Sequence, residues 1–405
     1  MNSTETLRCP VNKTGWLFIP LGIIIYICLG TIYSWSVFRK PVEDLFNIGA
    51  TQSGYPYMLF LVSYALFMSI SGSFIDKYNP KLVIFTGGLF VGLGWILSGY
   101  AANIFMLTIT YGLMAGGGVG IVYGVPIAVL SKWFPYKRGL VIGLTLLGFG
   151  LSPFVTAPIA QWLIDIHGPL PSFRFLGTSF FILISLLSLA FKFPPPQETT
   201  EGNCTPKNTR DFNTQAMLKS PNFYGLWSCF VIGTMAGLMT VGITSSVGEE
   251  IINLNAKDAA LMVSTFAIFN GIGRPLFGWL TDKLYPLKAA VIAYSLLILS
   301  SASMLLAKEG SIYVYLISFS LLWLTLGGWL AIAPTATTFF FGLTNYSQNY
   351  GIVFSAYGVG AIIGVSTSGI IRDSLGSYIY VFYPMLFLGI LGLGIALFLL
   401  KPSNN

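Results

Sequence analysis

Gly278-Trp-Leu-Thr-Asp282-Lys283-Leu-Tyr-Pro-Leu-Lys288 repeats, with small changes, Gly72-Ser-Phe-Ile-Asp76-Lys77-Tyr-Asn-Pro-Lys81. Each stretch follows a long apolar run, and the two aspartates stand 206 positions apart. Other marks recur at nearly the same interval. Pro126 and Pro334 lie 208 apart inside apolar runs, and Asp165 and Asp373 close runs 208 apart. A chain that repeats its turns and prolines at one long interval is built from two similar halves.

The runs between these marks have the length of membrane spans. Of the 405 residues, 55% are hydrophobic and 9% are charged, where soluble domains carry about 25% charged residues. Twelve stretches of about 20 apolar residues are long enough to cross a bilayer as helices. They cover 16–38, 54–75, 82–101, 105–130, 139–163, 174–193, 222–247, 259–281, 289–307, 311–340, 348–371 and 379–400. The tenth is too long for one crossing and predicts an irregular end. The expected fold is an all-α membrane protein with a six-helix half over 1–193, a linker over 194–221, and a second six-helix half over 222–405. The linker opens Pro194-Pro-Pro196 and is polar, so it is expected to be extended.

The net charge of +7 reports topology and not nucleic acid. With twelve spans and both ends on one side, that side holds fourteen basic residues and the other holds six. The asymmetry predicts that both termini and the linker are cytoplasmic, in a multi-pass cytoplasmic (inner or plasma) membrane protein, expected as a monomer. The first dozen residues are polar and the first apolar run is full length, so no cleaved signal is expected. Cys9, Cys28, Cys204 and Cys229 have no metal-ligand spacing and are expected reduced.

One basic residue belongs to neither side. Arg274 sits inside 259–281, the only charge near the middle of any span. Charge at that depth is costly and usually functional. It needs a partner, yet no span carries an acid at mid-depth. The missing anion is then expected to be a cargo arriving from solution. A guanidinium offers a planar fork that fits a carboxylate at two points. Asn270, one turn earlier on the same face, could orient the arginine or bind a cargo oxygen. Aromatic residues at helix positions facing the centre, Tyr33, Trp35, Tyr123, Phe149, Trp329 and Tyr357, are candidates for cavity walls.

Other features have blander readings. Gly116-Gly-Gly118-Val-Gly120-Ile-Val-Tyr-Gly124 lacks the pattern of a phosphate loop and reads as a helix-packing face, as do Gly360 and Gly364. Glu249 and Glu250, at the end of span seven, are the acids nearest a span and so the candidates for proton coupling. His167 sits in a short loop. Arg39 and Lys40 end span one, as anchors or as a funnel for anions. No nucleophile–base pair and no metal set appears, so neither an enzyme nor a cofactor is expected.

The two-half pattern matches the major facilitator superfamily. The Gly72…Asp76-Lys77…Lys81 turn resembles its inner-loop signature, whose repeat at Asp282-Lys283 strengthens the match. These residues are expected to gate access between the halves. Tyr33-Ser-Trp-Ser-Val-Phe38, Gly120-Ile-Val-Tyr-Gly124, Lys132-Trp-Phe-Pro-Tyr-Lys-Arg-Gly139, Asp211-Phe-Asn, Phe269-Asn-Gly-Ile-Gly-Arg-Pro275 and Asn349-Tyr-Gly351 together resemble the oxalate/formate antiporter family, close to the monocarboxylate (lactate) transporters. The resemblance covers nearly the whole chain. It implies a secondary carrier of small organic anions, with Arg274 as the carboxylate-binding residue and Tyr33, Tyr123 and Phe149 in the cavity wall. Where the family's oxalate transporter has a second cation, a lysine in span eleven, this chain has Tyr357. Leu326 and Leu330 stand where cage rings would be expected. Where the monocarboxylate transporters carry an aspartate one turn before the arginine, this chain has Asn270. One cation suits a monoanion. The expectation is therefore alternating-access symport of lactate, pyruvate or formate with a proton. The alternative is an oxalate/formate-type exchanger.

Overall fold

The computed structural model describes residues 13–72, 74–75, 77–134, 138–194, 212–342 and 345–400. Asp76 and most of the linker lie outside the described residues. Among the described residues, eleven helices are long and apolar enough to cross a membrane, and one of them, Ala256–Met304, runs for 49 residues. That helix breaks at Tyr285, whose φ is 68°, just before Pro286. Proline is suited to a first helical turn, so a second crossing starts there. The crossings therefore number twelve. We name them α1 (Phe18–Phe46), α2 (Ala50–Ser71), α3 (Pro80–Ser98), α4 (Ile104–Trp133), α5 (Arg138–His167), α6 (Pro169–Ser188), α7 (Pro221–Glu250), α8 (256–284), α9 (286–304), α10 (Ile312–Phe341), α11 (Tyr346–Leu375) and α12 (Tyr378–Leu399).

Long unbroken helices are what a bilayer demands, because lipid offers no partner for a backbone N–H. Their starts are written in the sequence. The side chains of Asn79, Asn103 and Asn255 accept from Lys81 N, Met106 N and Asp258 N and so cap α3, α4 and α8. Irregular turns occur inside two helices, and a third, α12, begins with a 3₁₀ turn over Tyr378–Val381. α1 tightens to a 3₁₀ turn over Gly30–Ser34, and α4 widens to a π-turn over Thr108–Ala115. The irregular end expected for span ten is not found. α10 is one helix of 30 residues that accommodates Pro334 and ends at Gly342, whose φ is 81°.

The halves share one packing scheme. In the first, α1 lies on α5, α2 on α4, and α3 on α6; in the second, α7 lies on α11, α8 on α10, and α9 on α12. Small residues set these contacts. Gly116, Gly120 and Gly124 form the face of α4 that meets α2 and its inner end, at Phe60, Phe67 and Ile75. Gly360 and Gly364 let α11 approach Thr234 and Met235 of α7. Burial follows the same order. In the most apolar stretch of α1, α4, α7 and α10, 78%, 67%, 89% and 61% of residues are buried, against 44%, 33% and 33% for α3, α6 and α12. The first set lines the centre and the second faces lipid, where large apolar side chains such as Leu186 and Phe398 lie exposed.

The halves meet along α2–α11, α5–α8 and α1–α7. With the orientation that the basic residues predict, their outer ends are closed by charge. Lys40 Nζ is 3.1 Å from Glu249 Oε2 across the halves. Asp373 of α11 accepts from Ala50 N and Thr51 N, 2.8 Å each, at the start of α2. Arg39 is 1% exposed and donates to Gly242 O, Ala50 O and Ser53 Oγ, with Glu43 Oε1 at 3.3 Å. It is a fully partnered latch and not an interfacial anchor or funnel. Toward the inner side, Ser69 Oγ donates to Gly351 O at 2.8 Å and Arg274 Nη1 to Leu146 O at 3.2 Å across the halves.

Candidate functional site

Arg274 enters the centre from α8, one turn past the midpoint of that helix. Its side chain is 5% exposed. One guanidinium nitrogen, Nη1, donates to Leu146 O of α5 at 3.2 Å. The other two, Nε and Nη2, are buried and unpartnered among the described residues. The guanidinium stands over the Phe149 ring, 5.5 Å from its centroid. A cation–π contact of this kind contributes about 0.5–2 kcal/mol, well short of what an unpaired buried charge costs. The site is therefore electrostatically incomplete.

Rings enclose it. Phe149 meets Tyr33 edge-on at 5.3 Å and Tyr123 at 5.4 Å. Tyr64 of α2 meets Tyr123 at 5.1 Å, Phe354 at 5.6 Å and Tyr357 at 5.6 Å. The Tyr33 and Tyr357 hydroxyls are 3.0 Å apart and join the two halves above the arginine. The hydroxyls of Tyr33, Tyr64, Tyr123 and Tyr357 all lie within electrostatic reach of Arg274. Their O–H groups can donate to an anion, and their ring walls exclude water. Glycine permits this approach at Gly30 of α1, which rests on Phe149 O and Ser152 of α5.

Asn270 is fully buried where α8 meets α5 and α10. Its Nδ2 donates to Trp323 O at 3.3 Å, and its Oδ1 has no partner among the described residues. The structure thus brings Arg274, Asn270, Tyr33, Tyr123, Phe149 and Tyr357 to one place. It sets Trp329 apart. That ring packs inside the second half, 5.1 Å from Tyr294 and 6.5 Å from Phe230. The α10 ring beside the cluster is Trp323, 6.5 Å from Tyr33, with Nε1 donating to Thr244 Oγ1 at 3.1 Å. Trp35 also lies elsewhere, 4.9 Å from Tyr111 in the first half's core. Tyr64, Trp323 and Phe354 were not anticipated. Tyr64 follows Tyr57 by seven residues on the buried face of α2, and that spacing was the available signal.

The remaining candidates sit at the two faces. Glu249 pairs with Lys40 and accepts from Ser245 Oγ at 3.2 Å, while Glu250 pairs with Arg372 at 2.8 Å. Both belong to the closed outer face, far from Arg274. On the inner face Lys77, Asp282 and Lys283 are exposed. Lys77 lies over the Phe74 ring at 5.7 Å and Lys283 over Trp279 at 4.9 Å. Asp76 is not among the described residues. His167 is exposed at the outer side, 5.1 Å from Phe175.

Comparison with known proteins bears on the family and the fold. Residues 21–345 match the Major Facilitator Superfamily. The chain is 28% identical over 364 residues to the Oxalate:formate antiporter of Oxalobacter formigenes, covering 89% of this chain and 86% of that protein. It is 23% identical over 429 residues to Monocarboxylate transporter 12 of Xenopus laevis, covering 98% and 91%. Among solved structures, a bacterial homolog to the human lysosomal transporter Spinster, inward-facing and unoccupied, superposes with a TM-score of 0.71 at 14% identity over 95% of this chain and 96% of that one. At that identity the likeness concerns the fold alone.

Proposed function

This chain belongs to the Major Facilitator Superfamily, and from that premise we propose that it carries a small monocarboxylate across the membrane by alternating access. One observation carries the reading. Arg274 is buried with two guanidinium nitrogens unpartnered, in a cage of tyrosines, with no acid beside it among the described residues. A carboxylate fills both positions with charge-assisted hydrogen bonds. Tyr357, Tyr123 or the Asn270 amide N–H donates to its oxygens, and Tyr33 and Phe149 wall the cavity. With Tyr357 rather than a cation opposite Arg274, the site balances one negative charge. A second carboxylate buried there would cost several kcal/mol. We take the cargo to be an acid of the lactate, pyruvate or formate class.

Alternating access in this reading parts the outer ties. Lys40 leaves Glu249, Arg39 leaves Gly242 O, and the Tyr33–Tyr357 pair opens. Symport with a proton is our primary assignment, with Glu249 and Glu250 as the candidate coupling carboxylates. Lys77, Asp282 and Lys283, with Asp76, would hold the inner face when it closes in turn. Exchange is the second reading. It is favoured by the lack of an acid beside Arg274 among the described residues, because a loaded carrier is compensated and an empty one is not.

The test is uptake into proteoliposomes across C1–C4 mono- and dicarboxylates, with and without an inward proton gradient. We expect saturable monocarboxylate uptake raised by the gradient, and no uptake by Arg274→Ala protein that stays monodisperse. Uptake that needs a counter-anion inside and ignores the gradient selects exchange. Saturable lactate uptake by Arg274→Ala refutes the site.

A further inference from the structure

We propose that the site selects 2-hydroxy acids, with Arg274 holding the carboxylate and Asn270 Oδ1 accepting from the cargo's hydroxyl. The inference rests on the monocarboxylate reading above and specifies its substrate class.

The register of α5 on α8 sets the geometry. Arg274 Nη1 donates to Leu146 O, and Asn270 Oδ1 lies against Gly150, 2.9 Å from where a Cβ would stand. Leu146 and Gly150 are one turn apart on α5, as Asn270 and Arg274 are on α8. The two helices therefore present their pairs in antiparallel register. Side chains on a helix lean toward its N-terminus, so the Arg274 guanidinium leans toward the Asn270 turn. Residues spaced four apart on one face sit about 5–6 Å apart. A 2-hydroxy acid carries its hydroxyl on the carbon next to the carboxylate. It can reach both groups with one short molecule.

The polarity of Asn270 is fixed by its surroundings. Its Nδ2 donates to Trp323 O. Turning the amide over would set two carbonyl oxygens against each other, so the exchanged orientation is disfavoured. Oδ1 can only accept. It is fully buried and unpartnered among the described residues, and such a group favours a ligand that brings a donor. The tyrosines do not impose this choice, because a hydroxyl can turn to donate or accept. A 2-oxo acid, an unsubstituted acid and formate bring no donor. In a wall of rings a cargo hydroxyl without an acceptor would be penalised. Asn270 converts that penalty into a preference.

The experiment is competition against labelled lactate on the full chain in proteoliposomes, with the pairs lactate/propionate and glycolate/acetate, and with pyruvate. We expect each hydroxy acid to compete about 10-fold better than its partner, with pyruvate near propionate. In Asn270→Leu, of similar volume, the ratio between each hydroxy acid and its partner should fall to about one. Equal competition by lactate and propionate in the unaltered protein overturns the inference, even if the variant does not fold. So does a gap that survives Asn270→Leu. If the acids bind in an Arg274-dependent way without hydroxyl preference, only this inference fails. If none binds, or binding survives Arg274→Ala, the monocarboxylate reading fails with it.

Discussion

Asp373 should hold the outer face shut, and the cost of removing it can be worked from its contacts. α2 begins at Gly49, which has no side chain to cap the helix. The cap comes instead from the other half of the molecule. Asp373 Oδ1 and Oδ2 each accept at 2.8 Å, from Ala50 N and Thr51 N. A helix cap contributes about 0.5–2 kcal/mol. A carboxylate at a helix N-terminus adds about 0.3–1 kcal/mol from the dipole. Because the two groups sit on opposite halves, both contributions exist only while the outer face is closed. Asp373→Ala should therefore favour opening by about 1–3 kcal/mol, or about 5- to 150-fold in the access equilibrium. Asp373→Asn keeps an acceptor and loses the charge, so it should fall between. The assay is the distance distribution between spin labels on the outer ends of α5 and α8, beside unlabelled Asp373. Opening should appear as a longer-distance population that grows from wild type to Asn to Ala. An unchanged distribution in folded Asp373→Ala protein would refute the latch.

Lys40→Ala removes another cross-half tie, a pair whose lysine is half exposed. It should shift the same distribution by less than about 1 kcal/mol, and added salt should erase the difference from wild type. Tyr357→Lys places a second cation opposite Arg274, and competition assays should then show gained affinity for oxalate and malonate with weakened affinity for lactate. Gly116→Val drives a methyl toward Phe60 O and Phe60 Cα, at 2.5 and 2.8 Å from a built Cβ. Backbone cannot swing away, so the melting temperature should fall, by the equivalent of about 1–3 kcal/mol.

The spans and the halves were legible in the sequence because lipid leaves few alternatives. An apolar run of about 20 residues has to be a helix, and a turn repeated after 206 positions marks the second copy. Arg274 was legible for a related reason, since a charge stands out in an apolar run. The ring positions were harder to read. Trp323 and Trp329 are both buried on α10, but they are six residues apart and face different neighbours. Only the packing of α10 on α8 and α7 tells which one approaches Arg274. Span ten was expected to have an irregular end on length alone, whereas Ile312–Phe341 is one continuous helix. Glu249 and Arg39 look like interfacial residues in sequence. Their partners, Lys40 and Gly242 O, lie about 200 positions away, and no local pattern announces them.

Equilibrium binding of labelled lactate, set beside its uncharged amide, tests most directly whether the Arg274 guanidinium takes its counter-ion from solution. Losing one member of a buried, hydrogen-bonded charge pair costs about 2–5 kcal/mol. Lactate affinity should thus fall by at least ~30-fold in folded Arg274→Ala protein, and lactamide should bind neither form. Lactamide binding the unaltered protein as tightly as lactate, or lactate binding the variant undiminished, would contradict the account.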